Sequence, residues 1–179
     1  MIIYKDLVSG AEVLTDSYPC VELFDGVLYE VTGKLTTETT DIDDSLIGGN
    51  ASAEAEPGEG GAESSSKSGI NIVFANKLED VDMTKKEFKT WLKNYSIGIK
   101  ARLAGNPRLE TFVKNGTDAA KKLLSIFDDC QIFVGENCVS QQFDKPPEGP
   151  CAIVLALYEQ DGKTVKMYYW RDGLEEEKA

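Results

Sequence analysis

The chain has 179 residues, 41% of them apolar and 28% charged, which is enough for one domain with a buried core. Its formal charge of −12 disfavours binding to nucleic acid or to anionic membranes, which needs clustered cations, and favours metal cations and basic protein surfaces. Histidine is absent, which excludes Ser-His-Asp and Cys-His catalysis in their usual forms and histidine-ligated zinc hydrolysis.

The first stretch, Met1 to about Leu35, alternates short Ile-, Val-, Tyr- and Leu-rich runs with polar residues and turn signals. Asp25-Gly26 separates Val21-Glu22-Leu23-Phe24 from Val27-Leu28-Tyr29-Glu30-Val31, which predicts a β-hairpin. The opening Met1-Ile2-Ile3-Tyr4-Lys5-Asp6 has no signal-peptide core, and no long apolar span follows. A cytoplasmic location with reduced thiols is therefore expected. None of Cys20, Cys130, Cys138 and Cys151 forms a C-x-x-C pair, so each reads as a small buried or half-buried apolar residue.

Residues 36–68 have the composition of a disordered acidic loop. Asp41, Asp43, Asp44, Glu54, Glu56, Glu59 and Glu63 stand among Gly, Ser and Ala, and Leu46-Ile47 is the only apolar cluster. So little apolar surface does not offset the entropy of ordering the chain. Gly69-Ile70-Asn71-Ile72-Val73-Phe74 then returns to a strand pattern.

Residues 84–128 read as a helical hairpin. Thr84 and Glu87 form a capping box, and Phe88, Trp91, Leu92, Tyr95, Ile99 and Leu103 recur on one face. Trp91 and Tyr95 belong to that core stripe rather than to a ligand site. Gly105-Asn106-Pro107 stops the first helix and starts a second, with Asn106 as cap and Pro107 in the first helical position. Leu109, Phe112, Val113, Ala120, Leu123, Leu124 and Phe127 form the second apolar stripe, and the short connection makes the pair antiparallel. Lys85, Lys86, Lys89, Lys93, Lys100, Arg102, Arg108, Lys114, Lys121 and Lys122 are ten of the chain's 19 cations. They are either a solvated surface or a ridge for an acidic partner, or for the acidic loop.

Strand patterns resume at 130–134, 152–157 and 165–170, the last two joined by the Asp161-Gly162 turn. Strands, a helical pair and strands again make the fold class α+β.

Three segments resemble the translationally controlled tumour protein family. Met1-Ile2-Ile3-Tyr4-Lys5-Asp6-Leu7 is similar to its amino-terminal strand. Asp43-Asp44-Ser45-Leu46-Ile47-Gly48-Gly49-Asn50-Ala51-Ser52-Ala53-Glu54 is similar to its first signature almost letter for letter. Phe133-Val134-Gly135-Glu136-Asn137, with Arg171-Asp172-Gly173-Leu174-Glu175-Glu176-Glu177-Lys178 downstream, supplies the third. The resemblance covers essentially the whole chain and implies a tent of two small β-sheets with a projecting helical hairpin and a long mobile loop. A small zinc-binding chaperone of Rab GTPases shares that fold, but its zinc cysteines are lacking here and no zinc site is expected.

The resemblance further implies a non-enzymatic interaction protein that requires no cofactor. Its implied partners are tubulin and microtubules, Rheb-like small GTPases, translation elongation factors and Bcl-family proteins; guanine-nucleotide exchange is the alternative activity. Two carboxylates are implicated in GTPase contact in the family, and the matching positions are Glu12 and Glu136; otherwise they are an exposed turn residue and a turn acceptor. Calcium binding is implied as well. No EF-hand loop is present, so only a weak site at Asp43, Asp44 and Glu54 is expected, or simply a solvating acidic loop. Ser45 and Ser64 follow acidic residues and suit acidophilic or polo-type kinases. Two departures from the family stand out. The 138–150 connection is longer than usual, and the chain ends in Ala179 where animal members often end in cysteine. A monomer is therefore expected.

Overall fold

The computed structural model describes residues 1–39, 66–136 and 151–178. In chain order the elements are β1 (Ile2–Asp6), β2 (Glu12–Thr15), β3 (Cys20–Leu23), β4 (Leu28–Thr39), β5 (Ser66–Ile70), α1 (Asn71–Asn76) and β6 (Glu79–Val81). They continue with α2 (Lys85–Arg102), α3 (Arg108–Ile126), β7 (Cys130–Val134), β8 (Ile153–Tyr158), β9 (Thr164–Trp170) and β10 (Leu174–Lys178). Strands and a helical pair thus alternate as expected for α+β.

Among the described residues there are two sheets. A small one has the order β10-β1-β2, and a larger one runs β3-β4-β9-β8-β7-β6 with β5 pairing the far end of β4. All pairings are antiparallel. The β3–β4 hairpin forms where Asp25-Gly26 predicts it. Its turn is wider than a two-residue one, with Phe24, Asp25 and Gly26 all at positive φ.

The larger sheet is apolar on both faces, so its central strands read as continuous apolar runs rather than alternating ones. Ile153, Leu155, Tyr168, Trp170, Ile132 and Val134 face one cluster, in which Phe88, Trp91, Tyr95, Ile99, Phe112 and Leu123 of the helical pair are buried. Val154, Ala156, Met167, Tyr169 and Phe133 face the other, with Val13 and Leu14 of β2 and Ile72 of α1. The period-two pleat thus divides one hydrophobic strand set between two cores.

The hairpin is held as its sequence dictates. Thr84 Oγ1 accepts from Glu87 N (3.1 Å) and the Glu87 carboxylate accepts from Thr84 N (2.8 Å), completing the capping box. Asn106 Oδ1 accepts from Arg108 N (2.8 Å), a turn that leads into the second helix one position later than the spacing predicts: Pro107, expected as the first helical residue, is its N-cap, and Asn106 precedes the cap. Trp91 is fully buried, stacks between Phe88 and Tyr95, and donates its indole N–H to the Cys151 carbonyl (2.9 Å).

Four other readings are corrected. Residues 36–39 and 66–68, placed in the acidic loop, are strand, and Leu35–Thr39 pairs with Ser66–Ile70. Residues 71–74, expected to continue that strand, open α1 instead. Asn71 Oδ1 accepts from Lys34 N (3.0 Å) and Ile72 N (2.8 Å), which ends the ladder. Leu78 N then donates to the Val73 carbonyl and Lys77 turns left-handed (φ 54°), closing one short helix over buried Ile72 and Asn76. Val113 is 52% exposed, because Phe112, Ala119 and Leu123 at seven- and four-residue steps already fill the stripe. Cys20 is exposed on edge strand β3, whereas Cys151 is buried and Cys130 half-buried.

Candidate functional site

The turn after β1 is organised by one buried carboxylate. Asp6, 2% exposed, accepts from Val8 N, Ser9 N, Ser9 Oγ (2.7 Å) and Ala152 N (3.1 Å). The last bond ties the turn to the entry of β8; the others shape Leu7–Gly10, where Gly10 supplies φ +78°. The chain then enters β2 with Glu12 exposed at its first position.

Opposite this turn lie the carboxy-terminal end of α1 and the residues leaving β7. Ser9, Gly10, Ala11 and Glu12 on one side, and Asn76, Lys77 and Glu136 on the other, line an open cleft of about 440 Å3. Asn76 is held in place by its amide, which donates to the Ile72 carbonyl (3.0 Å). Glu136 follows buried Gly135 and is exposed. Two carboxylates far apart in sequence thus share one cleft, with Lys77 between two flanking elements.

Chemically, such a cleft can accept a cationic side chain. Two carboxylates present several acceptor lone pairs to an incoming guanidinium or ammonium, and charge-assisted bonds of that kind are the strong ones. Among the described residues no group of three or more Asp, Glu, Cys or His side chains is arranged to hold a metal.

The predicted basic surface occupies the other end of the charge distribution. Lys85, Lys86, Lys89, Lys93, Lys100 and Arg102 are all exposed on α2. Lys85 makes a long ion pair with Asp128 (3.8 Å). Lys89, Lys93 and Lys100 rim a cleft of about 320 Å3 between the two helices, floored by Leu92, Phe112 and Trp170. Over residues 84–128 ten cations face four carboxylates, so this element carries +6 within a chain of −12.

The expected calcium ligands Asp43, Asp44 and Glu54 and the expected phosphorylation sites Ser45 and Ser64 lie outside the described residues, as does the 138–150 connection. No described helix is long and apolar enough to cross a membrane.

Residue reasoning missed Asp6, Asn76 and Lys77. The Asp6-x-x-Ser9-Gly10 spacing is a side-chain-capped turn signal that could have found the first. Lys77 follows an asparagine at the end of an apolar run, which is a weak helix-stop signal. Arg108, read only as one of the hairpin cations, proves to be a fastening: its Nε and Nη2 donate to both oxygens of Asp172 (3.1 and 2.9 Å) while Nη1 reaches the Asp25 carbonyl (3.2 Å).

The family model described as translationally controlled tumour protein matches residues 1–175. The human translationally controlled tumour protein is 40% identical to this chain, and its earthworm homologue from Lumbricus rubellus likewise, each aligned over 100% of both chains. The solved structure of the Schizosaccharomyces pombe translationally controlled tumour-associated protein superposes with a TM-score of 0.71 at 34% identity, covering 100% of both chains. The Caenorhabditis elegans counterpart, 23% identical and covered to 99%, shares the fold with a TM-score of 0.62.

Proposed function

The chain belongs to the translationally controlled tumour protein family, and from that premise we propose that it is a cytoplasmic, non-enzymatic protein that docks other proteins on two oppositely charged surfaces. The cleft shared by Glu12 and Glu136 takes a basic side chain of a Rheb-type small GTPase. The helical hairpin, at +6, takes acidic partners, tubulin tails foremost; acidic surfaces of elongation factors and Bcl-family proteins belong to the same class. Weak calcium binding at Asp43, Asp44 and Glu54 and phosphorylation at Ser45 and Ser64 complete the proposal.

The convergence of Glu12 and Glu136 on one cleft supports this reading most. A carboxylate pair gains most from a single cation that both can reach, since each charge-assisted bond adds about 1.5–3 kcal/mol. Direct titration of a Rheb-type GTPase with the purified chain is the test. Glu12→Gln and Glu136→Gln should each weaken binding about tenfold or more, and the double variant should lose less than the two effects summed, because both carboxylates hold one residue. Unchanged affinity in both single variants removes the GTPase reading. Running the titration with labelled nucleotide on the GTPase separates binding from exchange: accelerated release would make the chain an exchange factor.

A further inference from the structure

Three arginines line a third cleft, apart from the one shared by Glu12 and Glu136 and joined to the basic surface of α2 only through Arg102. Arg102 at the end of α2, Arg108 at the start of α3 and Arg171 between β9 and β10 line a cavity of about 390 Å3 with Tyr4, Tyr29 and Asn106. Arg108 is accounted for: its bidentate pair with Asp172 and its bond to the Asp25 carbonyl fasten the hairpin to the sheet. Arg102 and Arg171 are not. Among the described residues neither guanidinium has an ion-pair or hydrogen-bond partner, although Arg171 is half-buried. Burial pushes up the Tyr4 and Tyr29 phenols, and the Arg171 charge pulls both back, which sets that cation beside the two rings.

We propose that this cleft binds a phosphate monoester through Arg102 and Arg171. The two unpaired forks belong to different elements, and each presents parallel N–H donors that suit phosphate oxygens. A tetrahedral dianion can meet both forks at once, whereas a planar carboxylate satisfies one. The Asn106 amide and the Tyr4 hydroxyl add neutral donors at the rim. The cavity is much larger than a phosphoryl group, and Tyr4 and Tyr29, edge-to-face at 6.0 Å, line the space left for whatever carries it. Two carboxylates also face the cleft. Asp172 is neutralised by Arg108, and Glu176, opposite Tyr4 in the β1–β10 ladder, is repulsive, as is Glu22, whose carboxylate and the Arg171 guanidinium both crowd Gly26.

The test is nuclear magnetic resonance on the full-length isotope-labelled chain, following arginine side-chain resonances during titration with inorganic phosphate, phenyl phosphate and short phosphotyrosine or phosphoserine peptides at constant ionic strength. Saturable shifts are expected at Arg102 and Arg171. Arg171→Gln should weaken the apparent affinity about tenfold, and Glu176→Gln, which removes a repulsive carboxylate, should strengthen it about two- to threefold. A peptide that binds more tightly than inorganic phosphate identifies a phosphorylated side chain as the source; equal affinity identifies a small free phosphate compound. Shifts that stay linear, that map to Lys89–Lys100 instead, or that are unaltered in Arg171→Gln overturn the proposal. Because Glu12 and Glu136 take no part, its failure would be distinct from failure of the GTPase reading.

Discussion

Asp6 shows how one side chain can set up a surface that it does not itself form. Its carboxylate is 2% exposed and accepts four hydrogen bonds, one of them from the buried backbone N–H of Ala152. Asp6→Ala would leave that N–H unsatisfied and release the turn leading to Glu12. A loss of about 2–4 kcal/mol in urea unfolding is expected. A second consequence concerns the buried phenols. Burial raises the Tyr29 hydroxyl to about 12 and pushes those of Tyr95, Tyr168 and Tyr169 up as well, the Tyr168 hydroxyl also donating to Glu30 (2.8 Å). Below pH 10 folded and unfolded chains both keep these protons. Above it the unfolded chain releases them while the folded chain holds them, so rising pH favours unfolding. Stability should hold to about pH 10 and fall steadily toward pH 12, with the phenolate absorbance of these tyrosines appearing only as the chain unfolds.

At the scale of elements, the attachment of the helical hairpin to the sheets decides where both arginine and lysine surfaces stand. Its buried stripe does most of this: Phe88, Trp91, Tyr95 and Ile99 lie against the sheet with little or no exposure. Orientation comes from polar ties at each end. Trp91 bonds to the Cys151 carbonyl, and Arg108 joins the hairpin tip to Asp172 and to the β3–β4 turn. Close packing holds the Arg171–Gly173 turn between β9 and β10 from behind, since a Cβ on Gly173 would lie 1.8 Å from the Tyr95 hydroxyl oxygen. The Arg108–Asp172 pair is bidentate and Asp172 is nearly buried, so it should be worth more than an open surface pair. A double-mutant cycle with Arg108→Ala and Asp172→Ala should give a coupling of about 1–2 kcal/mol in unfolding midpoints; coupling near zero would mean that the apolar stripe alone fixes the hairpin.

For the molecule as a whole, the decisive quantity is the separation of charge. The hairpin carries +6, so the rest of the chain carries the balance of a −12 total and is strongly acidic. The proposed attraction of the exposed hairpin lysines to acidic tubulin tails would act across solvent and be screened by salt. Microtubule co-sedimentation should fall several-fold between about 50 and 300 mM salt. Lys89→Glu with Lys93→Glu should abolish it, while binding to a Rheb-type GTPase at Glu12 and Glu136 should survive both changes. Loss of both activities together in the hairpin variant would mean that the two surfaces are not independent.

Much of this architecture is fixed by local chemistry that the amino-acid sequence carries openly. The Thr84–Glu87 box, the three- and four-residue steps from Phe88 to Leu103 and the Asp25-Gly26 turn each act within a few residues, and they form as their spacing dictates. The family resemblance likewise proposed Glu12 and Glu136 as candidates from the sequence. Contacts between distant residues were decided only by the folded chain. Residues 71–74 have strand-like composition, yet they turn into helix because Asn71 takes the Lys34 N–H and Ile72 finds a core on the far face of the sheet. The sharing of one cleft by Glu12 and Glu136, the Asp6 bond to Ala152 and the gathering of Arg102, Arg108 and Arg171 all join segments widely separated along the chain. Side-chain spacing determines helices and turns because their bonds are local; a site exists only once the sheets and the hairpin have packed and brought remote charges within reach of one another.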